Sequence, residues 1–315
     1  MAISSNEALE CFRSEDLIGV GMEADAVRRR LHPEGVVSYA VDGLLECAGD
    51  HEARAVQAEA ILDRSGTGAV LRGLHAEGRD LDAAVALVSG IKQSFPELWL
   101  QAGSVHEVLT LATRSGSTLE TTLARLRDAG IESLAGEDAE ILDDAVQTAA
   151  GRNGRTAEDW LRVHRAAHRT GMLTTASMRF GGGETLEHRV RHLERLRALQ
   201  QETGGFTAFT PRAVEPLRAG IQGFEETTAV EYLKTLAICR MFLDTIPNLA
   251  GDLETQGLKI LQMTLRFGGN DVGSVPPENA DRAVAATEEQ LRQVIRDAGF
   301  RPVQRDGAYR MLLLQ

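Results

Sequence analysis

Residues 156–210 read TAEDWLRVHRAAHRTGMLTTASMRFGGGETLEHRVRHLERLRALQQETGGFTAFT. Thr156 stands where a helix N-cap belongs, and Trp160, Val163 and Ala167 recur at the i, i+3/i+4 spacing of one helical face, up to Gly171. A short apolar run follows at 173–179, then Phe180-Gly181-Gly182-Gly183-Glu184-Thr185, a second amphipathic stretch at 185–203 and another apolar run at 206–210. Helix, strand, turn, helix, strand is the rhythm of consecutive βα units, whose strands pair in parallel.

The same rhythm extends in both directions. Apolar runs predict strands at 36–41, 68–72, 98–102, 131–135 and 248–253, with a weaker one near 266–272. Amphipathic stretches predict helices at 50–64, 81–94, 118–129, 139–149, 227–244 and 288–298, preceded by N-terminal helices within 5–31 and followed by a C-terminal extension from about residue 287 to 315. Thr118 and Gly130 bracket one helix, and Glu184 places a carboxylate at the positive end of another. No Pro/Gly/Ser linker or charge run divides the chain, so the reading is α/β, a TIM-type (β/α) barrel in a single domain over 1–315. Chemistry is then expected at the C-terminal strand ends, near Asp42, residues 73–75, Gly103, residues 136–140, 181–184, Pro211-Arg212, residues 252–256 and Asn270-Asp271.

Composition narrows the class. With 34 Lys+Arg against 46 Asp+Glu the net charge is −12, which argues against a nucleic-acid or anionic-membrane partner. No apolar run reaches the length of a membrane span and the first residues lack a secretion signal, so the expectation is a cytoplasmic protein. Cys11, Cys47 and Cys239 are too far apart in sequence for a CxxC knuckle or a disulfide framework. His164 and His168, like His188 and His192, are four apart on one helix. Neither pair encloses the Glu of HExxH, and a packed or solvated helix face is the expected use. The acids of 136–140 decorate a helix start as readily as they form a site, and Asn270-Asp271 between glycines is also ordinary turn chemistry. No Walker A loop, GxSxG elbow or Rossmann fingerprint is present.

Several stretches, in order along the chain, carry a family resemblance: ADAVRRRLHPEGVVSYAVD (24–42), AEILDDAV (139–146), WLRVHRAAHRTGMLTTASMRFGGGET (160–185), LRALQQETGGFTAF (196–209), EYLKTLAICRMFLDTIPN (231–248), TQGLKILQMTLRFGGNDVGS (255–274) and IRDAGFRPVQRD (295–306). Together they resemble the radical S-adenosylmethionine enzymes of the futalosine route to menaquinone, and among them the dehypoxanthine futalosine cyclase group. The resemblance implies a radical-SAM-type barrel, with Glu140, Gly181, Gly183 and Glu184 around S-adenosylmethionine and Thr255, Gln256, Asn270 and Asp271 facing the substrate.

It also implies a [4Fe–4S] cluster held by a CxxxCxxC loop after the first strand. Here Asp42 is followed by GLLECAGDHEARAVQ, with Cys47 as its single cysteine, so no metal ligands are assigned. Other family positions are altered as well: Arg72-Gly73-Leu74 replaces a Gly-Gly, PRAVEPL (211–217) an apolar aromatic stretch, Glu254 a Trp, and Pro277-Glu278-Asn279 a Glu-Glu-Asn. Three functional readings follow. The first is a cluster-free homologue that binds a nucleoside-like ligand or a protein partner. The second is an active radical enzyme of menaquinone biosynthesis with atypical cluster ligation. The third is an acid/base enzyme at the barrel mouth using Glu140, Glu184, His75 or Asp271.

Overall fold

The computed structural model describes residues 2–63, 65–151, 156–214, 227–276 and 286–312, the side chain of Glu137 excepted. Residues 215–217 of the PRAVEPL run and the Pro277-Glu278-Asn279 motif lie outside the described residues. Nine strands are found among them: β1 Val36–Glu46, β2 Gly68–Arg72, β3 Trp99–Ala102, β4 Ser133–Leu134, β5 Leu173–Phe180, β6 Phe206–Ala213, β7 Asn248–Leu249, β8 Asp271–Val275 and β9 Arg301–Gln304. The first seven pair in chain order and all in parallel, β8 pairs with the other edge of β1, and a parallel bridge between Ala250 and Asp271 joins β7 to β8. The result is a nearly closed (β/α) barrel of eight parallel strands, the architecture expected from the βα rhythm.

Helices wrap the strands: α1 Ser5–Arg13, α2 Leu17–Leu31, α3 His51–Leu62, α4 Leu81–Ser94, α5 Val105–Arg114, α6 Leu119–Ala129, α7 Asp144–Ala149, α8 Ala157–Arg169, α9 Leu186–Thr203, α10 Ala229–Phe242, α11 Leu253–Thr264 and α12 Glu288–Asp297. Their ends follow from side chains. Thr156 and Thr185 each close a capping box, with Asp159 and His188 respectively, which satisfies otherwise orphaned N–H groups at the helix start. No helix among the described residues is long and apolar enough to cross a membrane.

Strand alternation separates an outer core from the lumen. On β5, Ala176, Met178 and Phe180 are buried against the helices, while Thr175 and Ser177 line the interior. Trp160 of α8 is fully buried and stacks on His164 at 3.8 Å and on Phe206 of β6, so this histidine serves packing. Where many barrels fill their centre with Val, Ile and Leu, the inward positions here include Gly68, Gln101, Thr175, Ser177, Ala208, Thr210 and Ser274. These small or polar side chains leave a lumen of about 150 Å³.

Several elements depart from the reading of the sequence. β1 runs on to Glu46 because residues 42–46 have β2 to pair with, while residues 36–39 pair with β9. The weak strand near 266–272 begins only at Asp271, since the chain turns through Gly268 and Gly269 first. The helix expected over 139–149 shrinks to α7 because Glu140 adopts φ 50°, outside the helical region. The strand expected over 248–253 stops at Leu249, and α5, with Ser104 as its N-cap, α11 and β9 were not anticipated.

Candidate functional site

The lumen is bounded by Asp42 of β1, Gly68 and Val70 of β2, Trp99 and Gln101 of β3, Thr175 and Ser177 of β5, Thr210 and Arg212 of β6, and Ser274 of β8. Arg305, Gly307 and Tyr309, just beyond β9, complete it beside the first residues of β2 and β3. This segment forms the floor. Arg305 donates from Nε and Nη2 to the two carboxylate oxygens of Asp271, at 2.6 and 3.1 Å, and its guanidinium lies 3.8 Å from the Tyr309 ring centre. Burial, the largest single influence, would lower the Arg305 pKa; the charge and hydrogen bonds of Asp271, together with Tyr309 and Asp42, outweigh it and raise the pKa above the ordinary guanidinium value.

The eight residues assigned from the family pattern lie around this lumen without lining it. Glu184 is almost wholly buried; its carboxylate accepts from the N–H groups of Gly181 and Gly182, at 2.8 and 2.9 Å, and from Arg189 Nε at 2.7 Å. Gly181 is at φ 89°, and a Cβ there would collide with the Thr227 hydroxyl, so glycine is required at this turn. Gly183 also adopts positive φ. Glu140 faces Arg179 Nε at 3.3 Å.

On the opposite side of the barrel, Thr255 donates to Asp252 at 2.6 Å and Gln256 donates to Thr255 at 3.1 Å, just before α11 breaks at Gly257. Asn270 accepts from Arg240 at 2.7 Å and from the Leu249 N–H at 2.9 Å, and donates to Asn248. Burial pushes the pKa of Arg240 down to about 9. Asp271, besides Arg305, accepts from Ser38 Oγ at 2.5 Å and the Gly273 N–H at 2.7 Å. The structure thus brings Asn270 and Asp271 together with partners from their own fold. Gln101, Arg305 and Tyr309, which do line the lumen, were missed, because their convergence depends on contacts between distant parts of the chain.

At the mouth, Glu107 of α5 fills the end of β2: its Oε1 accepts from the Gly73 N–H at 2.6 Å and the Leu74 N–H at 3.0 Å, and lies 3.4 Å from His75. Neighbouring Cys47 is fully buried, its carbonyl accepting from Arg79 at 2.8 Å and Arg54 at 3.2 Å. Burial pushes the Cys47 thiol up to about 12, so it stands here as a neutral, buried thiol.

Sequence comparison places the chain among known proteins. The model of the CofH/MqnC C-terminal region matches residues 203–314. The cyclic dehypoxanthine futalosine synthase of Halalkalibacterium halodurans is 31% identical, over 98% of this chain and 91% of that protein. The chain belongs to the futalosine-pathway radical S-adenosylmethionine family. Within that family it is also 34% identical to the aminodeoxyfutalosine synthase of Thermus thermophilus, over 71% of this chain and 63% of that protein. Among solved structures, methylornithine synthase (PylB) superposes with a TM-score of 0.72 at 15% identity, covering 96% of this chain and 94% of that one, which supports the fold alone.

Family membership implies S-adenosylmethionine and a [4Fe–4S] cluster. Three thiolates are needed to hold such a cluster with one iron open. Cys11 belongs to α1, Cys47 follows β1 and Cys239 belongs to α10, so the ligand set does not fit the cluster. No cluster of three or more metal-ligating side chains exists among the described residues.

Proposed function

We propose that this chain is a cluster-free member of the futalosine-pathway family, one that binds a small polar, nucleoside-like ligand in the barrel lumen and does not initiate radical chemistry. One observation carries the reading: β1 ends at Glu46 and α3 begins at His51, so the connection in which the family pattern places the cluster loop is four residues long, with a single buried cysteine. The names of the relatives point to a nucleoside-like ligand, and the hydroxyl, carboxamide and charged groups of the lumen suit a polar one.

Incubating the protein anaerobically with dithionite, S-adenosylmethionine and dehypoxanthine futalosine tests the reading. The expected result is no 5′-deoxyadenosine above the enzyme-free control. Its catalytic formation would contradict the reading and favour an active radical enzyme with ligands supplied from elsewhere.

A further inference from the structure

The lumen of about 150 Å³ has room for roughly five to ten water molecules, so only a compact part of a nucleoside-like ligand enters between the strands. The sheet register orders its walls. Asp42, Gly68 and Trp99 stand level across β1, β2 and β3, and Val70 and Gln101 form the next inward-facing layer. Gly68 opens the lower layer: a Cβ there would lie 2.9 Å from Asp42 Oδ1, so its absence leaves a gap between a carboxyl group and an indole.

The cation of the floor is already engaged. Arg305 directs Nε and Nη2 to Asp271 and Nη1 to the Asp306 carbonyl. A phosphate or carboxylate at this depth would therefore meet Asp42 without a guanidinium to receive it. Hydroxyl groups meet no such obstacle. Burial raises the Asp42 pKa and the Arg305 charge opposes the rise; an alcohol, which both donates and accepts, pairs with the carboxyl group in either protonation state.

The other polar groups of the lumen suit the same class. Thr175 and Ser177 are tied to Gly136, whereas the Gln101 carboxamide and the hydroxyls of Thr210, Ser274 and Tyr309 make no hydrogen bond to the described residues. Uncharged donor–acceptor groups around one carboxyl group match a ring that carries several hydroxyls. A flat base is served less well, because the C-terminal segment covers the aromatic faces: the Arg305 guanidinium lies 3.8 Å from the Tyr309 ring centre, Gly307 packs against the Trp99 indole, and Arg310 lies 5.8 Å from that ring.

We propose that the floor of the lumen holds the unphosphorylated furanose of the nucleoside-like ligand, with Asp42 taking its vicinal hydroxyls and Gln101 and the Tyr309 hydroxyl completing its hydrogen bonds. The inference rests on the lumen being the ligand site and deepens that reading by naming the end of the ligand that enters.

Isothermal titration of the full chain with methyl β-D-ribofuranoside, its 2-deoxy analogue, ribose 5-phosphate and adenine tests it. The riboside is expected to bind at millimolar concentration. The 2-deoxy analogue and the 5-phosphate should bind at least tenfold more weakly, since a site built around hydroxyls leaves its own groups unpaired when one is missing. Asp42→Ala is expected to abolish the discrimination between the riboside and its 2-deoxy analogue. Gln101→Leu and Tyr309→Phe remove groups that no described residue binds, and each should weaken the riboside at least threefold; if Asp42→Ala does not fold, these two carry the test. Equal affinity for the 2-deoxy analogue, tighter binding of the 5-phosphate, unchanged riboside affinity in either of those two variants, or no riboside binding at tens of millimolar would each overturn the proposal. Adenine binding that is lost in Gln101→Leu, without riboside binding, would overturn it while keeping the lumen as the ligand site. None of these outcomes involves iron, so they leave the cluster-free reading standing, and cluster formation would overturn that reading without touching the titration.

Discussion

Replacing Arg305 with Met is expected to lower the unfolding free energy by about 3–5 kcal/mol, the usual effect of removing one partner of a buried ion pair. Asp271 is fully buried and receives two hydrogen bonds from Arg305; the Ser38 and Gly273 donors that remain cannot neutralise a charge. The consequence is spatial as well as energetic. Arg305 directly follows β9, and its N–H donates to the Tyr39 carbonyl of β1, so the same residue ties the C-terminal segment to β8 and closes the lumen floor. Urea unfolding followed by circular dichroism would measure the loss. The double variant Arg305→Met/Asp271→Asn, which removes the stranded charge, should recover part of it. An Arg305→Met protein with an unchanged midpoint would mean that the pair is not the anchor described.

Acidification is expected to destabilise the protein through histidines buried in their neutral form. Burial depresses His168 to about 4 and His192 to about 3. The His168 ring nitrogens lie 2.5 Å from the Thr203 hydroxyl and 2.7 Å from that of Thr174, and His192 Nδ1 accepts from the Leu142 N–H at 3.1 Å. Both folded values lie below the ordinary value near 6.5, so the unfolded chain binds more protons as pH falls. The stabilisation is complete above about pH 6.5 and is lost on acidification towards pH 4 and below. Each histidine contributes a slope of about 1.4 kcal/mol per pH unit in that window, so the pair should cost about 4 kcal/mol between pH 7.5 and pH 5. Urea midpoints at those two pH values check the loss. His192→Gln, whose amide oxygen can still accept from Leu142, should remove about half of the slope. A flat profile would contradict the burial of neutral imidazoles.

These two effects mark the boundary of what could be read from residues in order. Helix ends were legible because they are set within a few positions: Thr118 and Gly130 bracket α6, and Thr156 heads α8. β2 was read to its final residue because an apolar run between turn residues defines it locally. β9 escaped because RPVQ is short and carries a proline, and only pairing with residues 36–39 makes it a strand. Asn270 and Asp271 were read at the C-terminal end of a strand over 266–272, whereas Asp271 opens β8 at its N-terminal end, and their partners Arg240 and Arg305 come from α10 and from the segment after β9. Asp42 and Arg212 were flagged as strand-end positions, and their place in the lumen depends on the alternation of β1 and β6 around a closed sheet. Glu107, filling the end of β2, came from a helix that was not anticipated.

Cluster content is the most direct test of the central claim. The protein would be reconstituted anaerobically with iron and sulfide, desalted, and analysed for both elements and for the broad visible absorption of an iron–sulfur chromophore. A chain whose three cysteines lie in α1, after β1 and in α10 is expected to retain neither element in stoichiometric amount. Four irons and four sulfides per chain, with the matching absorption, would contradict the account.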